Sequence, residues 1–456
     1  MENRRFNTGS SATKISDLVE EVFLKNRDDD TEVLSVSEGH GIIYQSELFK
    51  KQIATDDKSK YRSVRYGDVV YNPYLLWNAA VGVCFYPEGG CVSPAYKVLR
   101  PFHKHTERFL HYLFRSQTFT STVDAIATGT VTRRRTAPID QILGLSFKLP
   151  SLQYQRRANE ILCNIDDKIE LNRKINDALE RMAQAIYQSW FVNFDPVIDN
   201  ALTAGNHIPE SLIPRADIRR KLRQEKTTLF NLPADCFPSS FTYTEELGHI
   251  PNGWSASQLD QVGKITTGKT PPKSVQAAFG CGPMFLTPTD YNGEIVTVTT
   301  QRRLSKNGEQ SIPNARLKKG SLCVTCIGSQ MGKTTLVADT AYTNQQINSL
   351  SPFQDSYRYF LLLNLRLRRN EIFSIGASGS TMPIVNKGVF SQLKIVRPDE
   401  VILTEFERIV SPLIERIRNN VFEFQKLTKI RDTLLPKLIS GELSTKQADQ
   451  LVKDLP

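Results

Sequence analysis

No run of about 18 apolar residues occurs in this chain, so no segment of it reads as a helix crossing a bilayer. The opening residues, MENRRFNTGSSATK, carry basic side chains with no apolar stretch after them, which is not the pattern of a secretory signal. A cytoplasmic protein is the expectation. Histidine is scarce, with six residues in 456, and His103, His105 and the others lack carboxylate or cysteine partners at helical ligand spacing. They are expected at the surface. The seven cysteines are odd in number and scattered, which excludes a disulfide framework and fits a reducing compartment. Only Cys323 and Cys326 have a suggestive spacing. They lie in SLCVTCIG, a β-branched stretch in which residues three apart point to opposite faces of a strand, and no second pair follows, so no metal site is expected.

Catalytic signatures are missing too. Gly328 to Thr334, GSQMGKT, imitates a phosphate-binding loop but separates its glycines by three residues where the nucleotide cradle needs four. Asn72-Pro73-Tyr74 resembles part of an amino-methyltransferase tetrapeptide, yet no glycine-rich cofactor fingerprint accompanies it, and a turn between strands is the simpler reading. Asp28-Asp29-Asp30 reads as an exposed acidic loop, and there is neither a nucleophile elbow nor a nuclease-like carboxylate cluster. By elimination this chain binds and positions, and does not catalyse.

What is present is positive charge and repetition. A formal charge of +10 and a pI near 9.1 favour a polyanionic partner. A length of 456 residues is too great for one core. The tract around Asp167-Lys168-Ile169 aligns without a gap on that around Glu415-Arg416-Ile417, an offset of 248 (167 to 415). Leu179 falls on Leu427, Met182 on Ile430, Ile186 on Leu434, Trp190 on Leu438 and Asn172 on Asn420. Upstream the register drifts: Pro150 matches Pro398 at 248, Gly129 matches Gly379 at 250, and Gly67 matches Gly320 at 253. Each half is a variable module followed by a rod of fixed length.

The expected fold class is α+β, with two mixed modules and two long helices in a pseudo-twofold repeat. Residues 1–150 form the first module, with strands at 69–72, 81–86 and 95–100 and one helix at 107–119. Residues 151–195 form the first long helix, 196–235 a linker, 236–398 the second module, 399–441 the second long helix and 442–456 a tail. Asp195-Pro196 is expected to end the first helix, and Gly441 to cap the second. The linker contains four prolines and the basic stretch RRKLRQEK at 219–226, read as a solvated helix face in preference to the alternative, a DNA contact.

Spacing of 4 and 3 residues places Ile165, Ile169, Asn172, Leu179 and Ile186 on one seam, and Leu413, Ile417, Asn420, Leu427 and Leu434 on the other. A helix of this length spans roughly 60 Å and needs a partner. Asparagine recurs at the matched position of both seams, where its best-attested use is to fix register. Antiparallel pairing of the two rods would carry the modules to opposite ends, and is expected over the parallel alternative. Trp190, Phe191, Phe194 and Phe424 could dock partners or pack on the neighbouring rod.

The basic loops are the better binding signals. Thr130, Thr132, Arg133, Arg134 and Arg135 follow Gly129 and suit phosphate clamping and guanine readout. The matching loop holds Ser380 and Thr381 after Gly379 and has no arginine, so the two modules should recognise different things. Lys269, Thr270, Lys273 and Lys333 add exposed donors to the second module.

With these residues in place, the chain resembles the specificity subunit of Type I restriction-modification enzymes. The resemblance lies in Leu149, Pro150, Leu152 and Gln155, in DDKIELNRKIN at 166–176, AQAIYQSWFVNFDPV at 183–197, IPNGW at 250–254 and RDTLLPKLISGELS at 431–444. RPDEVILTEF departs from the first of these patterns at the exit of the second module. The resemblance implies two target recognition domains, each reading half of an asymmetric bipartite site on double-stranded DNA, with the helices as an antiparallel coiled-coil ruler. It implies two modification subunits that bring S-adenosylmethionine for adenine methylation, restriction subunits that bring ATP and magnesium, and no cofactor in this chain. The competing readings are a stand-alone DNA-binding regulator and a coiled-coil scaffold whose charge is incidental.

Overall fold

The structure is a computed structural model that describes residues 11–26, 31–38, 41–48, 57–127, 135–225, 234–377 and 383–453. It forms two compact units, Met1–Glu170 with Gln425–Pro456, and Leu171–Phe424. The boundaries fall inside the two long helices, so each unit holds one module and a portion of both helices.

In the first unit a four-stranded antiparallel sheet runs in the order Val19–Glu21, Lys97–Pro101, Val69–Tyr71, Val81–Val83. Val69–Tyr71 and Val81–Val83 are buried along their whole length, as expected where both sides of a sheet are covered. The entering strand Ser11–Lys14 pairs antiparallel with the leaving strand Ser146–Leu149. The single helix expected at 107–119 is instead two, Glu107–Arg115 and Gln117–Ile126. Ser116 breaks them: its backbone is extended and its hydroxyl accepts the Phe119 N–H, so it acts as the N-cap of the second helix.

The second unit repeats this plan and adds to it. Gly263–Thr267, Ile347–Pro352, Leu322–Thr325 and Thr334–Val337 form the equivalent sheet, and Val296–Thr297 joins its edge in parallel. Ser255–Gln258 and Lys394–Arg397 are its entering and leaving pair. A three-stranded sheet, Arg302–Leu304, Phe279–Leu286 and Ala341–Thr343, stands where the first unit has the pair Leu34–Ser37 and Gly41–Tyr44, with Val33 bridged in parallel to Cys91.

The long helices are Leu152–Phe191 and Glu400–Ser440. In the second unit Asn172 donates to Glu423 Oε2 at 3.0 Å and Asn420 donates to Asn176 Oδ1 at 2.8 Å. In the first unit Arg431 Nη1 lies 3.2 Å from Asp166 Oδ1 and Tyr154 donates to the Leu443 carbonyl. Partner numbers fall on one helix as they rise on the other, so the pairing is antiparallel within each unit. Ile165, Ile169, Asn172, Ile186, Ile417, Asn420, Leu427 and Leu434 are buried, and Leu179 is half-buried. Leu413 is a correction. It is half-buried, while Val410 and Ile414 take the seam, because the stripe of this helix drifts by a residue toward its N-terminal end. Gly441 adopts φ +76° just past the second helix, the left-handed conformation that terminates helices at least cost.

Two further expectations change. The first helix ends at Phe191, and Pro196 lies in the first turn of the next helix, Asp195–Ala204. Its missing N–H is no loss there, because first-turn donors have no intrahelical acceptor. Residues 196–235 are therefore not merely a linker. Asp195–Ala204 and Ile213–Gln224 pack together over Ile198, Ala201, Ile208 and Ala216. Arg215 binds the Asp195 carboxylate at 2.6 and 2.7 Å, Arg219 binds the Asp199 carboxylate, and Arg223 reaches Thr203 at 3.0 Å. The basic stretch is thus not a plain solvated face: Arg219 is buried.

Trp190, Phe191, Phe194 and Phe424 are also buried. In the second unit Phe191 packs on Trp254, Phe360 and Phe406, with ring centroids 5.9, 4.8 and 4.9 Å away. These rings are internal packing and do not form an open docking surface.

Candidate nucleic-acid interface

The module cores hold one hairpin twice. In the first unit Val69–Tyr71 and Val81–Val83 flank the loop 72–80; in the second, Leu322–Thr325 and Thr334–Val337 flank the loop 326–333. The offset of 253 that links Gly67 to Gly320 holds across the whole hairpin. Gly67 N–H donates to the Cys84 carbonyl at 2.8 Å, and Gly320 N–H to Val337 at 2.9 Å. Asn72 N–H donates to Ala80 at 3.0 Å, and Thr325 N–H to Lys333 at 3.0 Å. Ala79 (φ +57°) falls on Gly332 (φ +81°). A left-handed residue is required at the same place in both copies, and only one of them has the glycine that adopts it freely.

The segment after each glycine loop returns to this hairpin. Ala137 N–H donates to the Pro73 carbonyl at 3.3 Å, and Val385 N–H to Cys326 at 2.9 Å. Ala137 and Val385 are related by the offset of 248 (137 to 385), so the drift from 253 to 248 is absorbed between the hairpin and its return segment.

Within this frame the contents differ. In the first loop Leu76 is buried while Tyr74 and Leu75 are exposed at 46% and 38%. In the second, Met331 is fully buried against Gly376 while Ser329 and Gln330 are exposed. Thr325 Oγ1 donates to the Gln330 carbonyl at 2.6 Å and accepts the Lys333 N–H at 3.0 Å, which fixes the second tip.

The residues expected to touch DNA are distributed unevenly. Thr130, Thr132, Arg133, Arg134, Ser380 and Thr381, and also Asp28-Asp29-Asp30, lie outside the described residues. Arg135 does not present a free guanidinium. It is paired with the Asp124 carboxylate at 2.9 Å, bonded to the Asp124 carbonyl, and stacked over Trp77 at 5.1 Å. Lys269, Thr270 and Lys273 are exposed, with Thr270 Oγ1 donating to Gln345 Oε1 at 2.9 Å. Lys333 is half-buried, its Nζ 3.4 Å from the Tyr291 carbonyl, and Thr334 is buried in a strand. The exposed donors expected there reduce to a partly covered lysine, because the buried strand begins immediately after Lys333.

Sequence reading singled out the stretch from Gln330 to Thr334 but missed Tyr74, Leu75 and the exposed Arg369 that packs on Gly332. Carrying the Gly67 to Gly320 offset twelve residues further, to Ala79 and Gly332, would have exposed the shared hairpin.

His111 is another correction. It is half-buried, its Nδ1 accepts the Val83 N–H at 3.4 Å, and burial, reinforced by Arg115, Arg108 and Arg431, pushes its pKa down to about 3. Cys323 and Cys326 are buried, and burial pushes their thiols up to about 12 and about 11. Among the described residues no group of three or more His, Cys, Asp or Glu could hold a metal ion, and no helix is long and apolar enough to cross a membrane.

Comparison with known proteins agrees with the duplication. The chain matches the Type I restriction modification DNA specificity domain twice, over residues 24–181 and 251–421. It is similar to the Type I restriction enzyme HindI specificity subunit of Haemophilus influenzae, with 32% identity over 323 residues, covering 67% of this chain and 70% of that protein. It is also similar to the Type I restriction enzyme MjaIX specificity subunit of Methanocaldococcus jannaschii, with 24% identity over 364 residues, covering 74% and 69%. In fold it resembles the S subunit of a Type-I restriction-modification system from M. genitalium, with a TM-score of 0.56 at 12% identity over 96% of this chain and 98% of that one.

Proposed function

This chain belongs to the family of Type I restriction-modification DNA specificity proteins, and from that membership we propose that each of its modules reads one half of an asymmetric, bipartite site on double-stranded DNA. The chain is the recognition component of its system and not a catalytic one. Two modification subunits dock on it and carry S-adenosylmethionine for adenine methylation, and restriction subunits supply ATP- and magnesium-dependent translocation and cleavage. The target adenine leaves the duplex to enter a modification subunit.

The observation that carries this reading is the double family match, in which each matched stretch contains a module and part of the long helix after it. Two modules with one frame and different exposed side chains suit a site whose halves differ. The positive charge of the chain supplies the sequence-independent part of binding, through counterions released as phosphates are neutralised.

The test is binding of duplex DNA by the chain together with its modification subunits across a salt series. Affinity should fall steeply and linearly in log–log form, with a slope of about −0.9 per phosphate contacted. Arg133→Ala and Arg134→Ala should each weaken binding about ten-fold, consistent with loss of one clamp or base contact. Affinity indifferent to salt, or failure to co-purify with a modification subunit, would contradict the reading.

A further inference from the structure

Recognition surfaces built on one scaffold should differ where they touch the target and agree where they are held, and the duplicated hairpin has this character. Its frame repeats at the base: the Gly67 and Gly320 hydrogen bonds, the Asn72 and Thr325 hydrogen bonds, and the left-handed Ala79 and Gly332 all coincide at one offset. Each loop carries a large buried anchor near its tip, Leu76 in the first and Met331 in the second. Beside each anchor stands an exposed pair, Tyr74 and Leu75 in one and Ser329 and Gln330 in the other.

The tips are preorganised. Tyr74 N–H donates to Asn72 Oδ1 at 3.0 Å, Leu75 N–H to the Asn72 carbonyl at 3.1 Å, and Arg115 Nη1 grips the Ala79 and Val81 carbonyls at 3.0 and 2.8 Å. In the second loop, Met331 N–H donates to Gly328 at 3.2 Å and Gly332 N–H to Thr325 at 2.8 Å, beside Thr325's bond to the Gln330 carbonyl. Large apolar side chains held out in water on a braced turn have no folding role that accounts for them, and side chains fixed in advance lose little freedom on binding. The exposed Arg369, whose backbone and Cγ lie against Gly332, is an arginine within reach of the second tip, the residue type that meets phosphate beside a base contact.

We infer that these two hairpin tips are the base-reading elements of the modules, with Gln330 reading adenine in the major groove through its amide and Tyr74 with Leu75 reading a thymine methyl through apolar contact. The chemistry follows from the side chains. A glutamine amide donates and accepts at once and matches adenine N7 and N6, whereas the thymine C5 methyl is the one apolar feature on that groove floor. The inference rests on the specificity reading above and names the residues that carry it.

The experiment is selection of bound sequences from a random duplex library by the full chain in complex with its modification subunits, compared among the unsubstituted chain, Gln330→Ala, Gln330→Glu and Tyr74→Ala. Gln330→Ala should relax adenine preference at one position of one half-site by about ten-fold or more and leave the other half unchanged. Gln330→Glu should move that position toward cytosine, whose N4 donates to a carboxylate. Tyr74→Ala should relax a thymine position in the other half only. Unaltered motifs in all three variants, or weakening spread evenly over all sequences, would overturn the inference while the specificity reading stood. Absence of any motif with the unsubstituted chain would remove the specificity reading itself, and this inference with it.

Discussion

Arg135 turns its guanidinium inward, to the Asp124 carboxylate and the Trp77 ring, so its first effect is on the module that holds it. Arg135→Ala is expected to destabilise the first unit by about 1 kcal/mol, the modest figure for a partly exposed pair. It should alter DNA affinity less than Arg133→Ala or Arg134→Ala do, and binding and thermal unfolding measured on the same samples separate the two effects. Glu407 gives a pH signature. Burial raises its carboxyl to about 7 from an ordinary 4.5, against the opposing pull of Arg358 3.7 Å away. A carboxyl whose folded pKa is raised keeps its proton longer in the folded protein, so stability falls as pH rises from 4.5 to about 7 and stays reduced above that. Glu407→Gln should therefore stabilise the second unit by about 2 kcal/mol at pH 8, after discounting for partial exposure, and by little at pH 4.5. Equal gains at both pH values in thermal melts would show that titration is not the cause.

At the scale of elements, the long helices carry a polar layer in the second unit, where Asn420 meets Asn176 at 2.8 Å and Asn172 meets Glu423 at 3.0 Å. Asn420→Leu alone strands the Asn176 amide and is expected to cost about 1–2 kcal/mol, and adding Asn176→Leu should recover most of it. A double-mutant cycle in denaturant measures the coupling, and strict additivity of the two changes would deny the contact. These helices were legible in the sequence because a 4-3 apolar period sustained over many turns has no competing interpretation. Shorter elements were less so. Pro196 and Pro214 look like breakers, but both stand in first helical turns, where proline is tolerated. Ser116 looks like an ordinary helical residue until its hydroxyl is seen to cap Phe119. In the candidate site, charge drew attention to Arg135 and Lys333, both of which have partners inside their modules. The exposed Tyr74 and Leu75 gave no compositional signal, since exposure at a turn is set by the buried anchor beside it.

At the scale of the whole molecule, the duplication separates what is held constant from what varies. Sheet order, the entering and leaving strands and the hairpin recur in both units, while the side chains at the tips do not. A repeated frame with unlike tips is what the proposed asymmetric target requires of one chain. The most direct measurement is a map of methylated adenines in the host genome with this chain intact and with it deleted. The account predicts that deletion abolishes methylation at one asymmetric, two-part motif and leaves all other methylation in place. An identical methylation map in the two strains would contradict it.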